Sequence, residues 1–288
     1  MKIPSIEFSA SNPAAALIEI IDLHELYRRK DRIDHNPEKP HRVGFSMLIY
    51  IQQGSGSHFI DFARWPFEKG SFIFVNKDQI NAFDLSERPQ GNAILFTDEF
   101  IQRIQSNMKM PVFSPSYLKH DYSPVLQTSV SLQESCERLL LEIKTESLGK
   151  HLDSLVTMFL FSALFLMLER ERSSFYEQRL SNKEHKTYSN FINLLEKQFT
   201  QTRNASDYAT QLHVTYKALN QLCKRATELT AKQLIDAYII LEAKRRLVVE
   251  QKNVQELAYE LGFDEVTNFT KYFKKHTRLL PSHFQRNP

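Results

Sequence analysis

Two stretches near the C-terminal end carry the same polar and basic residues at the same spacing. They are LCKRATELTAKQL (residues 222–234) and YFKKHTRLLPSHF (residues 272–284). At an offset of 50, Lys224 meets Lys274, Arg225 meets Lys275, Thr227 meets Thr277 and Leu229 meets Leu279. Lys and Arg donate charge-assisted hydrogen bonds that suit phosphate oxygens. Just before each basic pair stand Tyr216, Lys217, Asn220 and Gln221 in the first copy, and Val266, Thr267, Asn268 and Lys271 in the second. Amide and ammonium groups match the donors and acceptors on base edges in the major groove, and Val can meet a thymine methyl. The pattern implies contact with double-stranded DNA. Lys224, Arg225, Lys274 and Lys275 are the expected phosphate contacts, and the other eight residues the expected base contacts.

Such residues need elements that present them outward. DYATQLHV (207–214) aligns with ELAYELGF (256–263) at an offset of 49. Ala209 meets Ala258, Leu212 meets Leu261, and Val214 meets Phe263. The one-residue slip relative to the downstream offset falls in a turn. Each copy therefore reads as a short helix with a small Ala for close crossing, a tight turn, and a second helix ending in a basic pair. Gly262 suits a turn conformation that bulkier residues resist. Between the copies runs AKQLIDAYIILEAKRRLVVE (231–250), with Thr230 as its expected N-cap. About 19 helical residues span ~28 Å. Successive major-groove faces on one side of DNA lie ~34 Å apart. The connector has the scale to set two recognition helices in adjacent grooves.

The charge balance agrees. Residues 201–288 carry 14 Lys and Arg against 9 Asp and Glu, a net of +5. The first 200 residues carry 23 against 25, a net of −2, so the positive excess belongs to the C-terminal third. Only two cysteines occur, Cys136 and Cys223, which excludes a disulfide scaffold and implies packing residues in a reducing compartment. The start, MKIPSIEFSASNPAAAL, lacks the pattern of a signal peptide. The most apolar run, Leu155 to Leu168, is too short to span ~30 Å of hydrocarbon. A cytoplasmic protein without a membrane segment is the expectation.

Glycine placement divides the chain. Six of the seven glycines lie in the first 150 residues, and only Gly262 lies beyond. Turn-rich β structure uses glycine, and helices avoid it. The runs VGFSMLIYIQ (43–52), HFIDFA (58–63), SFIFVN (71–76) and NAILFT (92–97) read as short strands of a small antiparallel barrel or sandwich. QGSGS and RWPFEKG read as separators. A helical region follows from near Leu132, and the polar SNKEHKT (181–187) reads as a linker. The expected fold is α+β in two domains. Residues 1–180 form a β-barrel with trailing helices, and 188–288 form an all-α domain with two helix-turn-helix motifs.

The barrel residues that could face a small molecule are His41, Tyr50, His58, Trp65 and Phe83. For each, ordinary packing is an equal alternative. A catalytic metal is not expected. His58 has Ile60 where a second His would be needed, and Asn81 stands where a later His would fall. No cofactor motif, nucleophile triad or paired carboxylates are evident, so catalysis is not expected.

NVQELAYELGFDEVTNFTKYFKKHTRLLPSHFQ (253–285) resembles the signature of the AraC/XylS family of bacterial transcription regulators over nearly its full length. It has the Val-x-x-Leu-Ala start, the Leu-Gly-Phe turn, the Phe-x-Lys-x-Phe-Lys-Lys helix and the Pro-Ser-x-Phe end. Residues 188–288 resemble that family's DNA-binding domain. HFIDFARWPFEKGSFIFVNKDQINAF (58–83) resembles its cupin-type effector domain. The resemblance implies seven helices with a rigid connector, promoter DNA as partner, a small-molecule effector in the barrel, and a homodimer formed by helices within 132–180. RNA polymerase is a further implied partner. A regulator that needs no effector, and a cupin-type enzyme with a helical appendage, are the alternatives. The chain departs from the family at Glu228 and Arg278, where glycine is usual, at Tyr238, where Arg is frequent, and at Arg246, where Leu is frequent.

Overall fold

The computed structural model describes residues 4–9, 17–29, 36–84, 86–108, 123–148, 154–174 and 180–286. The chain divides into two compact units, the second beginning with the helix that follows residue 180.

Among the described residues, the first unit holds ten strands in two five-stranded sheets. One sheet has the order β1 (Ser5–Ile6), β3 (His41–Val43), β8 (Ile80–Phe83), β5 (Gly56–Ile60), β6 (Ala63–Phe67). The other has β10 (Val125–Gln127), β7 (Ser71–Val75), β4 (Ser46–Gln53), β9 (Gln90–Phe96), β2 (Ile18–Asp22). All pairs are antiparallel except β1 with β3. Alternation along β4 explains the layering, because successive side chains point to opposite faces. Met47, Ile49 and Ile51 join Val43, Ile60, Phe67, Ile73, Val75 and Ala93 in the core between the sheets. Leu48 and Tyr50 face the other way. That outer face is covered by α3 (Val130–Leu148) and α4 (Ser154–Ser174). Phe161 of α4 meets Phe96 at 5.0 Å, and Phe165 meets Phe74 at 6.1 Å. A strand buried on both faces reads as a continuous apolar run, which is why SMLIYI shows no polar alternation.

Two expectations change here. HFIDFA is not one strand. Asp61 and Phe62 adopt positive φ (44° and 71°), so a two-residue turn pairs Ile60 with Ala63 and starts β6. The Asp61 carboxylate fixes the turn, accepting from Gln79 Nε2 (2.7 Å) and the Ile80 N–H (3.2 Å). RWPFEKG, read as a separator, supplies most of β6. Its Pro66 is tolerated because β6 is an edge strand. Helices α1 (Leu23–Arg29) and α2 (Asp98–Met108) complete the unit.

The second unit has seven helices among the described residues. They are α5 (Asn182–Gln198), α6 (Ala205–Gln211), α7 (Tyr216–Thr227), α8 (Ala231–Val249), α9 (Val254–Glu260), α10 (Val266–Thr277) and α11 (Pro281–Arg286). Residues 182–187 are not a linker but the opening turns of α5. Ser181 and Glu184 form the S-x-x-E pairing that starts helices, with Glu184 Oε2 accepting from the Ser181 N–H and hydroxyl, both at 2.8 Å. The buried Tyr188, Phe191, Ile192 and Leu195 then continue at helical spacing. The polar stretch is the exposed side of a helix. The expected cap Thr230 does open α8, its hydroxyl accepting from the Gln233 N–H at 3.2 Å.

Candidate nucleic-acid interface

The two turns repeat bond for bond. In the first, the N–H groups of Leu212, His213 and Val214 donate to the carbonyls of Tyr208, Thr210 and Ala209. In the second, Leu261, Gly262 and Phe263 donate to Leu257, Tyr259 and Ala258. Every pair is offset by 49. Ala209 and Ala258 are buried at 2% and 0% exposure, as close helix crossing requires. The turn residue is left-handed in both copies, His213 at φ 55° and Gly262 at φ 74°. Only the second must be glycine, because a Cβ there would lie 1.9 Å from the Thr200 carbonyl oxygen. Arg203 locks this contact. Its guanidinium donates to the Gly262 carbonyl (2.8 Å) and lies 3.8 Å from the Phe263 ring centre.

Each turn aims a second helix. In α7, Leu219, Leu222, Cys223 and Thr227 are buried; in α10, Phe269 and Phe273 are. Opposite them an exposed stripe runs at i, i+4, i+7 and i+11. In α7 it comprises Lys217, Gln221, Lys224 and the residue after the helix, Glu228. In α10 it comprises Thr267, Lys271, Lys274 and Arg278. Tyr216 at 49% exposure and the half-buried Val266 open the two helices, and Asn268 and Lys275 are exposed beside the second stripe.

Besides Thr267, whose hydroxyl donates to Glu265 Oε2 at 2.9 Å, two expected contacts are otherwise engaged. Asn220 is not a stripe residue. It is half-buried, and its Oδ1 accepts the Ala231 N–H at 3.0 Å, tying α7 to the start of the connector. Arg225 is exposed but forms an ion pair with Glu184 of α5.

Neither helix ends on glycine, yet both end left-handed, Glu228 at φ 66° and Arg278 at φ 65°. The threonine before each supplies part of the closure. Thr227 and Thr277 donate to the carbonyls of Cys223 (2.9 Å) and Phe273 (2.8 Å). Their Oγ1 atoms accept the N–H of Leu229 and Leu279, both at 3.2 Å. Sequence reasoning noted the repeated threonine without its role. It also missed Asp236 of α8, whose carboxylate accepts from Tyr272 Oη (2.7 Å) and Lys232 Nζ (2.6 Å) and so joins connector to second recognition helix. Burial and this hydrogen bond raise the Tyr272 pKa. The connector also buries an ion pair, Glu242 with Arg245 at 2.8 Å. Gln285 of α11 clamps its far end by donating to the carbonyls of Leu247 and Lys252.

In the first unit, strand register decides which effector candidates share a face. His41 and Ile60 both pair with Asn81, and Phe83 and Trp65 both pair with His58. His41, His58, Trp65 and Phe83 therefore lie on one face with the core residue Ile60. Tyr50 does not. It lies on the outer face, stacked on Phe72 at 4.7 Å and donating to Glu137 Oε1 at 2.7 Å. Parity along β4 sets this, since Ile49 and Ile51 point inward. Asn81 was missed as a site residue. Its amide atoms and His58 Nε2 are buried beside one another, too poorly aligned to form a hydrogen bond of good geometry. Burial, reinforced by His41 and partly opposed by the Asn81 amide, lowers the His58 pKa to about 3, so the imidazole is neutral. Both thiols are buried, and that burial pushes Cys136 and Cys223 up to about 12, which leaves them unreactive. Among the described residues, no group of three His, Cys, Asp or Glu could hold a metal ion, and no helix is long and apolar enough to cross a membrane.

Two family models agree with this architecture. A family model described as a helix-turn-helix domain matches residues 208–287, and one described as an AraC-like ligand binding domain matches residues 23–155. HTH-type transcriptional activator RhaS of Shigella dysenteriae serotype 1 is 20% identical over 280 residues, 97% of this chain and 95% of that protein. RhaS of Escherichia coli O9:H4 (strain HS) is 20% identical over 278 residues, 96% of this chain and 94% of its own length. Among solved structures, ToxT from Vibrio cholerae is 14% identical, with 93% of this chain and 97% of that chain covered at a TM-score of 0.45. A ligand-binding sheet unit joined to a doubled helix-turn-helix unit defines a DNA-binding transcription regulator that responds to an effector. The chain belongs to the AraC family of these regulators.

Proposed function

We propose that α7 and α10 enter adjacent major grooves on one face of promoter DNA. The observation that carries this reading is the repeat itself: two turns with the same hydrogen bonds, each presenting an outward stripe, on either side of one rigid connector. Tyr216, Lys217 and Gln221 of α7 read base edges, as do Val266, Thr267, Asn268 and Lys271 of α10. Lys224, Lys274 and Lys275, in the last turns, meet phosphates. Lys271→Ala tests the assignment. It should weaken binding to a selected promoter fragment by about 1–3 kcal/mol and relax the preference at one base pair, with the melting temperature unchanged. Unchanged affinity for every bound fragment would remove Lys271 from the interface.

The effector reading places a small molecule against His41, His58, Trp65 and Phe83, with Asn81 added. The buried polar atoms of His58 and Asn81 support it, because they are too poorly aligned to satisfy one another and a guest could bond them. Thermal shifts across a metabolite panel, repeated with Asn81→Leu, provide the check. A hit that Asn81→Leu leaves intact would move the site elsewhere.

The chain acts as a homodimer in this reading. Leu155 (49%), Val156 (41%), Phe159 (56%) and Leu166 (36%) form an exposed apolar stripe on α4, opposite its buried Phe161, Leu164, Phe165 and Leu168. A second copy would cover it, and a monomer in sedimentation at micromolar concentration would remove the idea. The RhaS relatives are named transcriptional activators, and in this reading the chain likewise activates, acting through RNA polymerase in the cytoplasm and without catalysis. Failure of polymerase to join the protein on bound DNA would exclude that step.

A further inference from the structure

Three basic side chains end α7 and α10 without an ion pair among the described residues: Lys224, Lys274 and Lys275. The fourth, Arg225, is held. Its Nη2 meets Glu184 Oε1, while Oε2 of the same carboxylate closes the cap at the start of α5. The Ser181 N–H, then Arg225 and the Ser181 hydroxyl, keep the Glu184 carboxyl low, at about 2, so it stays charged. The side chains are 49% and 30% exposed, so this pair faces water and is a weak one. Arg225 stands at the position of Lys275, one residue beyond Lys224 at the edge of the stripe. A carboxylate oxygen there occupies the guanidinium with the same anionic acceptor chemistry that a backbone phosphate oxygen offers.

We infer that Glu184 is an affinity-setting residue of the DNA interface, an internal carboxylate that competes with a DNA phosphate for Arg225. The inference rests on the reading that the last turns of α7 and α10 meet phosphates. Its consequence is an electrostatic inequality between the two copies. The second presents Lys271, Lys274, Lys275 and Arg278 to the duplex. The first presents Lys217 and Lys224, with Arg225 neutralised and Glu228 in the place of Arg278. The second copy anchors the protein through charge, and the first is held by less of it. Glu184 also sits in the first turn after the chain enters the helical unit. A change in that turn's geometry would therefore reach Arg225 with no intervening element.

Glu184→Gln is the clean perturbation. Glutamine at this position still accepts the Ser181 N–H, so the cap survives while the charge is lost. The full-length chain and a short mixed-sequence duplex are sufficient, because phosphate contacts are indifferent to sequence. One added phosphate contact steepens log K against log salt by about 0.9. Over the decade from about 1 M to about 0.1 M salt, that is an about eightfold gain in affinity. The double variant Glu184→Gln with Arg225→Gln restores the wild-type charge and should restore the wild-type slope. Lys274→Gln, measured alongside, tests the underlying reading and should flatten the slope by about 0.9. If Lys274→Gln flattens the slope and Glu184→Gln changes neither slope nor affinity, the competition is wrong and the phosphate reading stands. If neither variant alters the slope, both fall. A gain in Glu184→Gln that persists in the double variant would also overturn the role given to Arg225.

Discussion

Arg278→Gly should stabilise the helical unit and weaken DNA binding in the same molecule. Arg278 closes α10 at φ 65°, ψ 1°, a left-handed conformation that costs a residue with a Cβ about 1–2 kcal/mol. Glycine removes that strain but adds about 0.5–1 kcal/mol of unfolded-state freedom. An Arg at a helix C-terminus also contributes about 0.3–1 kcal/mol through the dipole, which the substitution forfeits. The closing bonds are independent of the side chain. The Arg278 N–H donates to Lys274 at 2.9 Å, and the Thr277 hydroxyl accepts from Leu279. Arg278 is exposed and its dipole contribution is screened, so the low ends of both costs apply, together ~0.8 kcal/mol against ~1–2 kcal/mol, and the net is a gain of about 0.5 kcal/mol, or roughly 2–4 °C for a domain of this size. Two probes isolate the unit in the intact chain. Trp65, the single tryptophan, lies in the sheet unit, so its fluorescence should not move. Far-ultraviolet circular dichroism follows both units, and its helical transition should shift upward. Affinity for mixed-sequence DNA should fall, since one positive charge leaves the stripe. A lower melting temperature would show that side-chain contacts of Arg278 outweigh its backbone strain, and the reasoning would fail.

Two further outcomes follow from single contacts. Gly262→Ala places a Cβ 1.9 Å from the Thr200 carbonyl oxygen at φ +74°, so it should cost about 2 kcal/mol or more and disturb the aim of α10; a variant as stable as the wild type would mean that Thr200 can withdraw freely. His58 makes the sheet unit acid-labile. Its folded pKa, lowered to about 3 by burial, lies below the unfolded value of about 6.5, so the unfolded chain binds the extra proton between them and stability falls as pH drops through that window. Between about pH 6.5 and about pH 5 the loss from His58 is ~2 kcal/mol. Denaturation followed by Trp65 should show it, and His58→Phe should remove it; an equal loss in that variant would place the proton elsewhere.

The helical unit was far more legible in the sequence than the sheet unit, for physical reasons. Helix-turn-helix geometry depends on local spacing, so Ala209, Ala258, Gly262 and the basic pairs signal it directly. The duplication supplies an internal check. Tyr50 shows where such reasoning fails. Both faces of β4 are apolar, so nothing in SMLIYI says which residues look inward, and only pairing with β7 and β9 decides it. The turn at Asp61 and Phe62 was hidden because Asp61 is followed by a phenylalanine, not by the glycine that marks such a two-residue turn. Asn220 has a base-reading residue type, but its partner Ala231 lies across a helix junction. The segment 181–187 looked like a linker because the cue lay in one Ser and one Glu three residues apart, not in apolar periodicity.

The central claim is that two recognition helices read two adjacent major grooves. A single-base substitution scan across a selected genomic site tests it most directly, using the wild-type chain, Gln221→Ala and Lys271→Ala. The account predicts two clusters of sensitive base pairs about one helical turn, 10–10.5 base pairs, apart. Gln221→Ala should silence positions in one cluster and Lys271→Ala positions in the other. A single cluster, or two variants that silence the same positions, would contradict the account.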